Sequence, residues 1–219
     1  MSLITDSLQA VRYVQRQQGW RSAFIMAGQF ASAPFFEYHR GYLLFKSLLN
    51  PVQVPASGVS DCVTQVDLDN VAVLETIMPP LRVKRIARKL RAGEACCIAI
   101  KDGRVIAYVL AGLKNTPSTR EANLDLSSDQ AYLWAGYALP QFRRQGVVAE
   151  VNLSLCCYLQ SRGYKGVILL VEKKNDACLG HCDKMGYEVR EVFTLIRIVR
   201  WRYTRSVPIV RYWPESFAL

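Results

Sequence analysis

The sequence predicts an α/β fold of mixed type: a central mixed β-sheet with helices on both faces, preceded by an N-terminal, mostly helical appendage. Three observations predict it. Two apolar runs, 95–100 and 104–113, flank Lys101-Asp102-Gly103, a turn signal that joins antiparallel strands. An apolar run at 130–139 ends at Pro140 and passes through Gly146 into a helical pattern, 146–162, which leads to another apolar run at 166–173. A short helical stretch, 175–185, then stops at Gly186 and gives way to a strand-like segment, 187–200.

The remaining elements follow in order. Residues 3–17 read as a helix, with Leu3, Leu8, Val11 and Val14 on one side. Residues 20–36 are apolar and aromatic without a clean period, and 37–49 alternate loosely, as a strand running into a helix. Pro51 to Gly58 has the composition of a linker, so residues 1–58 are set apart as the appendage, 59–205 as the main domain and 206–219 as a tail. Within the main domain, 62–66 suits a strand. Asp67 or Asp69 suits the cap of a helix ending near Ile77, and Pro79-Pro80 breaks that helix. A basic amphipathic helix comes next, with Leu81, Ile86 and Leu90 facing inward, and Gly93 stops it. The polar stretch 115–129 reads as a loop.

A chain of 219 residues with 51% hydrophobic and 21% charged residues buries one substantial core. No apolar run reaches the roughly 18 residues of a membrane span, and the N-terminus lacks a basic region followed by an apolar signal core. The expected compartment is the cytoplasm. The seven cysteines, with two vicinal pairs in apolar stretches, agree with it as buried reduced thiols. Cys178, His181 and Cys182 share a helix face but lack a fourth ligand at a known spacing, so packing is expected there and no metal. The net charge of +10 concentrates in 82–91 and 190–211 and favours an anionic partner. For the first cluster the expected role is a solvated helix face, and nucleic acid is not the expected partner.

The most informative stretch is Arg143-Arg144-Gln145-Gly146-Val147-Val148. A strand that turns through a glycine into a helix leaves the first helical N–H groups unpaired and aimed at one point. With the positive end of the helix dipole and two arginines, those donors suit a pyrophosphate. Downstream, Asn175 opens a helix that ends in Lys184-Met185-Gly186-Tyr187.

These two stretches, in this order and separated by a helix and a strand, resemble the GNAT superfamily of acyl-CoA-dependent N-acyltransferases. Its first signature, Gln/Arg-x-x-Gly-x-Gly/Ala, is met by Arg143 and Gly146, with Val148 in place of the small residue. Its second is met by Asn175, Lys184, Gly186 and Tyr187. The resemblance covers about residues 62 to 200. It implies that the fourth and fifth strands splay to admit a pantetheine arm, and that the donor substrate is acetyl-CoA with no metal. The donor would contact the backbone of Arg144, Gln145, Gly146, Val147 and Val148 and the side chains of Arg143 and Arg144. The strand edge at Gly136, Tyr137 and Ala138 would pair with the arm, and Asn175 would meet it at the mouth of the splay. Gly136 also fits a simple bulge, and Asn175 also fits a helix N-cap.

The resemblance implies a tyrosine seven residues after Asn175 as general acid; this chain has Cys182, either a thiol acid or an inert core residue. No carboxylate stands on 132–138, leaving Glu172 or Asp129 to act through a water, or to sit idle on the surface. The implied activity is acetyl transfer to a small amine or amino sugar. Two alternatives remain: a long-chain N-acyltransferase fed by acyl-CoA or an acidic acyl carrier protein, and a non-catalytic acyl-CoA sensor.

Overall fold

The computed structural model describes residues 36–122, 124–198 and 201–208. The helix expected at 3–17, the aromatic stretch up to residue 35 and the tail beyond 208 lie outside the described residues. One eight-stranded sheet organises the rest, in the order β2-β3-β4-β5-β6-β1-β7-β8. Its strands are β1 (Phe36–Ser47), β2 (Cys62–Gln65), β3 (Ala95–Lys101), β4 (Arg104–Gly112), β5 (Gln130–Ala138), β6 (Gly166–Glu172), β7 (Glu188–Ile198) and β8 (Trp201–Pro208). Among the described residues four α-helices complete it: α1 (Pro80–Arg91), α2 (Pro117–Ala122), α3 (Val147–Ser161) and α4 (Asp176–Lys184).

Period-two alternation sorts the sheet's side chains into two cores. On one face Val151, Leu155 and Leu159 of α3 and Leu179 of α4 meet Cys97, Ala99, Leu133 and Val167. On the other, Val83 and Ile86 of α1, with Leu74, Ile77 and Met78, cover Cys96, Ile98, Val105, Tyr108 and Leu110. Helices thus lie on both faces, as expected.

Several expectations need correction. Residues 36–47, set apart with the appendage, form a full strand in the interior of the sheet, antiparallel to both β6 and β7. Leu44, 1% exposed, belongs to the same core as α3. The linker-like segment after it is pinned along α3. Gln160 Nε2 donates to the carbonyls of Leu48 and Asn50 at 2.6 and 2.8 Å, and Ser57 and Ser60 each donate to Glu150 at 2.6 Å. The helix expected up to Ile77 is a short 3-10 turn at Val71–Thr76. Asp67 Oδ1 accepts from the N–H groups of Asp69 and Asn70 at 3.0 Å, a local bond that competes with helix formation. The end of the sheet is also longer than expected, because β8 runs to Pro208 and pairs with β7.

The polar stretch 115–129 contains α2, anchored from below by a buried polar group. Lys89, 5% exposed, donates to Ser118 Oγ at 2.9 Å. Ser118 in turn gives its hydroxyl and its N–H to the two oxygens of Glu94 at 2.7 and 2.8 Å. Burial without such partners would cost several kcal/mol.

Gly41 is where β1 fits most tightly. A Cβ there would collide with the Val171 carbonyl of β6 and stand 2.7 Å from the Phe193 ring of β7. We expect Gly41→Ala to destabilise the whole protein by about 1–3 kcal/mol and Leu44→Ala by about 2–5 kcal/mol, with unchanged denaturant slope. Urea unfolding followed by circular dichroism measures both. A strand outside the cooperative unit would leave the main transition where it is.

Candidate active site

Strands β5 and β6 run parallel and pair only from Gln130↔Gly166 to Leu133↔Leu169. Beyond that they part. β5 continues along β4 through Ala138, and β6 continues along β1 through Glu172. The parting opens a cleft of about 1030 Å³. Gly136, Tyr137 and Ala138 line one side, Tyr42 and Leu44 of β1 another, and α4 with Asn175 a third.

The free edge of β5 is shaped by a bulge. Trp134 pairs with Leu110 and Tyr137 with Tyr108, so Ala135 and Gly136 together face the single residue Val109. Ala135 has φ +53°, an uncommon conformation for a residue with a side chain. Past the bulge, Leu139 N–H bonds to Ile106 O at 2.9 Å. By antiparallel alternation Ala138 then turns its own N–H and C=O away from β4, toward the parting. Its C=O takes a hydrogen bond from Arg143 Nε at 3.2 Å.

The cleft's other end is the turn into α3. Arg144 (φ +61°) and Gly146 (φ +80°) are both left-handed, and Gly146 is the N-cap with no side chain to satisfy the helix. The first N–H of the helix that finds a backbone acceptor is that of Glu150, on Gly146 O at 3.0 Å. The N–H groups before it point out of the helix end, beside two exposed arginines. A helix end of this kind can hold a phosphate or pyrophosphate.

Helix α4 forms the opposite wall. Asn175 caps it, its Oδ1 accepting from Cys178 N–H at 3.2 Å. The carboxamide nitrogen has no partner among the described residues and remains a donor at the cleft. His181 also lines the cleft, its Nε2 buried and without a hydrogen-bond partner among the described residues. Burial, then the nearby Lys184, lowers its pKa.

Residues 67–187, more than half the chain, match the acetyltransferase (GNAT) family. The chain belongs to that family. No curated protein matches it. Among solved structures, a Drosophila protein is similar with a TM-score of 0.54 and 12% identity, over 80% of this chain and 56% of that one. A protein described as a GNAT-family acetyltransferase, from Novosphingobium aromaticivorans, is similar with a TM-score of 0.52 and 15% identity, over 75% of this chain and 68% of that one. This chain therefore spans only about half the length of the Drosophila protein.

The fold brings most of the residues singled out by the GNAT resemblance to one cleft. Gly136, Tyr137, Ala138, Arg143, Arg144, Gly146, Val147, Val148 and Asn175 all line it. Gln145 is in the turn but not on the wall; its Nε2 donates to Gln141 O at 2.8 Å. Cys182 does not reach the cleft. It is 0% exposed and sits behind Cys178, with the two sulfurs 3.9 Å apart. Its thiol is pushed far up by its bond with Cys178 and by burial, so it holds its proton. Glu172 is exposed at the end of β6 and lies off the lining. Asp129 stands before β5, at the end away from the parting, where Ser127 and Lys165 hold it. The hydrogen bond from Ser127 lowers its pKa first. Tyr42, Leu44 and His181 are walls that sequence reasoning did not assign. The alternation Tyr42, Leu44 was a visible signal for the first two.

Behind the cleft wall, Tyr187 Oη donates to Asn152 Oδ1 at 2.8 Å, fully inside the core. Burial raises the pKa of Tyr187 and pushes the thiols of Cys97 and Cys156 to about 12 from an ordinary 9.0. A group whose folded pKa is raised contributes full stability below its unfolded pKa and loses it as pH climbs to the folded value. Stability should therefore hold up to about pH 9 and fall steadily toward pH 12. Denaturant midpoints across that range check it, and Cys97→Ala with Cys156→Ala should flatten the fall.

Proposed function

We propose that the protein is an N-acetyltransferase that moves the acetyl group of acetyl-CoA to the primary amine of a small acceptor, an amine or amino sugar. The observation that carries this reading is the parted strand edge of Gly136 to Ala138 opening onto the uncapped helix end at Gly146. The pyrophosphate of the donor sits on the N–H groups at that helix end, with Arg143 and Arg144 alongside. The pantetheine arm follows the free edge of β5 as an added strand, opposite Asn175. A backbone N–H beside the bulge, that of Ala138, polarises the thioester carbonyl.

The amine's lone pair attacks the carbonyl carbon, the carbon–sulfur bond breaks, and CoA departs as thiolate. With Cys182 buried and protonated behind Cys178, water at the open cleft supplies the proton to sulfur. A second reading, an acyl-CoA-binding module without turnover, is favoured by the same burial of Cys182. A thiol-release assay with a panel of amines separates the two.

Gly146→Trp should abolish acetyl-CoA binding in calorimetry, because a side chain is strained at φ +80° and the ring fills the helix end. Unchanged affinity in a folded Gly146→Trp protein would refute the donor site. Arg144→Glu should weaken binding in a salt-dependent way. Cys182→Ala should leave turnover within a few-fold while lowering stability slightly; a loss of about a hundredfold would instead mark the thiol as the acid.

A further inference from the structure

The cleft described above opens on the α3 and α4 side of the sheet. A thioester lying along the β5 edge presents its other side to the face covered by α1. That face is lined by aromatic rings under cations. Tyr108 and Tyr137, cross-strand neighbours at the bulge, stack with ring centroids 5.7 Å apart. The Arg82 guanidinium carbon lies 5.9 Å from the Tyr108 ring. Seven residues further along the same side of α1, Lys89 Nζ sits 4.1 Å from the Trp134 ring.

These cations do not form a merely solvated helix face. Lys89 is buried, and Arg82, though exposed, is turned onto the sheet. Arg82 has no carboxylate partner among the described residues. Glu94, a buried carboxylate beside this group, has both oxygens taken by Ser118. Among the described residues the exposed Arg82 guanidinium thus stands without a carboxylate partner, a single ring away from Tyr137.

We infer that the acceptor is an amine that itself carries an acid group, a carboxylate or a phosphate, and that Arg82 receives that group. The inference rests on the donor reading above. A guanidinium pairs with either oxyanion through parallel hydrogen bonds, whereas a polycationic amine is repelled. The same positive surroundings favour the neutral form of the acceptor's amine. That supplies the free lone pair on a strand that offers no carboxylate as base. The balance is that of simple transfer: a carbon–nitrogen bond forms, the carbon–sulfur bond breaks, CoA leaves as thiolate, and the amine's proton passes to water.

The test uses matched probes on the full chain saturated with CoA. Glycine is set against glycinamide, glucosamine 6-phosphate against glucosamine, and kanamycin serves as the polycation. Binding is measured by titration, and kcat/KM by thiol release with acetyl-CoA. We expect the acid-bearing member of at least one pair to be preferred about tenfold, the pair that responds identifying the carboxylate or the phosphate class. Arg82→Glu should erase the preference through KM, with acetyl-CoA affinity unchanged. Arg91→Ala, on the opposite side of α1, should leave it intact.

Equal binding within both pairs, binding of neither member of either pair, tighter binding of kanamycin, or a preference that survives Arg82→Glu overturns the inference while the donor reading stands. Loss of acetyl-CoA binding by the wild-type protein would instead overturn the donor reading, and this inference with it.

Discussion

The parting of β5 from β6 after Leu133 and Leu169 is the constraint on which the rest of the site depends. Two parallel strands that stop pairing leave a row of backbone donors and acceptors with no partner, and a buried row of that kind is costly. The cost is tolerable here because the freed edges face a cleft rather than the core. Each strand also keeps a partner on its far side, β4 for β5 and β1 for β6. The bulge at Ala135 and Gly136 turns the free edge of β5 toward that cleft, and Arg143 takes one of the freed carbonyls.

The position of β1 follows from the same constraint. Without a neighbour on its outer side, β6 would be an unpaired edge beyond the parting, open to association with other chains. β1 fills that place with Gly41 against Val171 and Phe193, contributes Leu44 to the core, and lines the cleft with Tyr42. The segment that follows is tied to α3 through Gln160 and Glu150, so the helix that opens at Gly146 is braced from both ends. A sheet parted this way leaves one face to α3 and α4 and the other to α1.

Local chemistry was legible in the sequence, and long-range pairing was not. The Asp102-Gly103 hairpin, the turn at Gly146 and the cap at Asn175 are each written within a few residues, and each stands within a residue or two of where it was expected. The alternation in 37–49 shows a strand but carries no information about partners more than a hundred residues away, and Pro51 to Gly58 has the composition of a linker although it packs along α3. Asp67 and Asp69 look like helix caps, yet Asp67 closes a local turn with Asn70. In the cleft, the turn at Gly146 was readable because its exposed donors are backbone groups fixed by a glycine. The depth of Cys182 was not, since Cys178 and Cys182 share one helix face and only packing decides which reaches the cleft.

The most direct test of the parted-strand site is a backbone amide titration by NMR with CoA on the uniformly labelled protein. The account predicts that the amides of Gly136, Ala138 and residues 144–148 shift together and saturate at one affinity, with smaller changes at Asn175 and Tyr42 and none on β2 and β3. Shifts concentrated on the basic stretches of α1, with the amides of 136–148 unmoved, would contradict it.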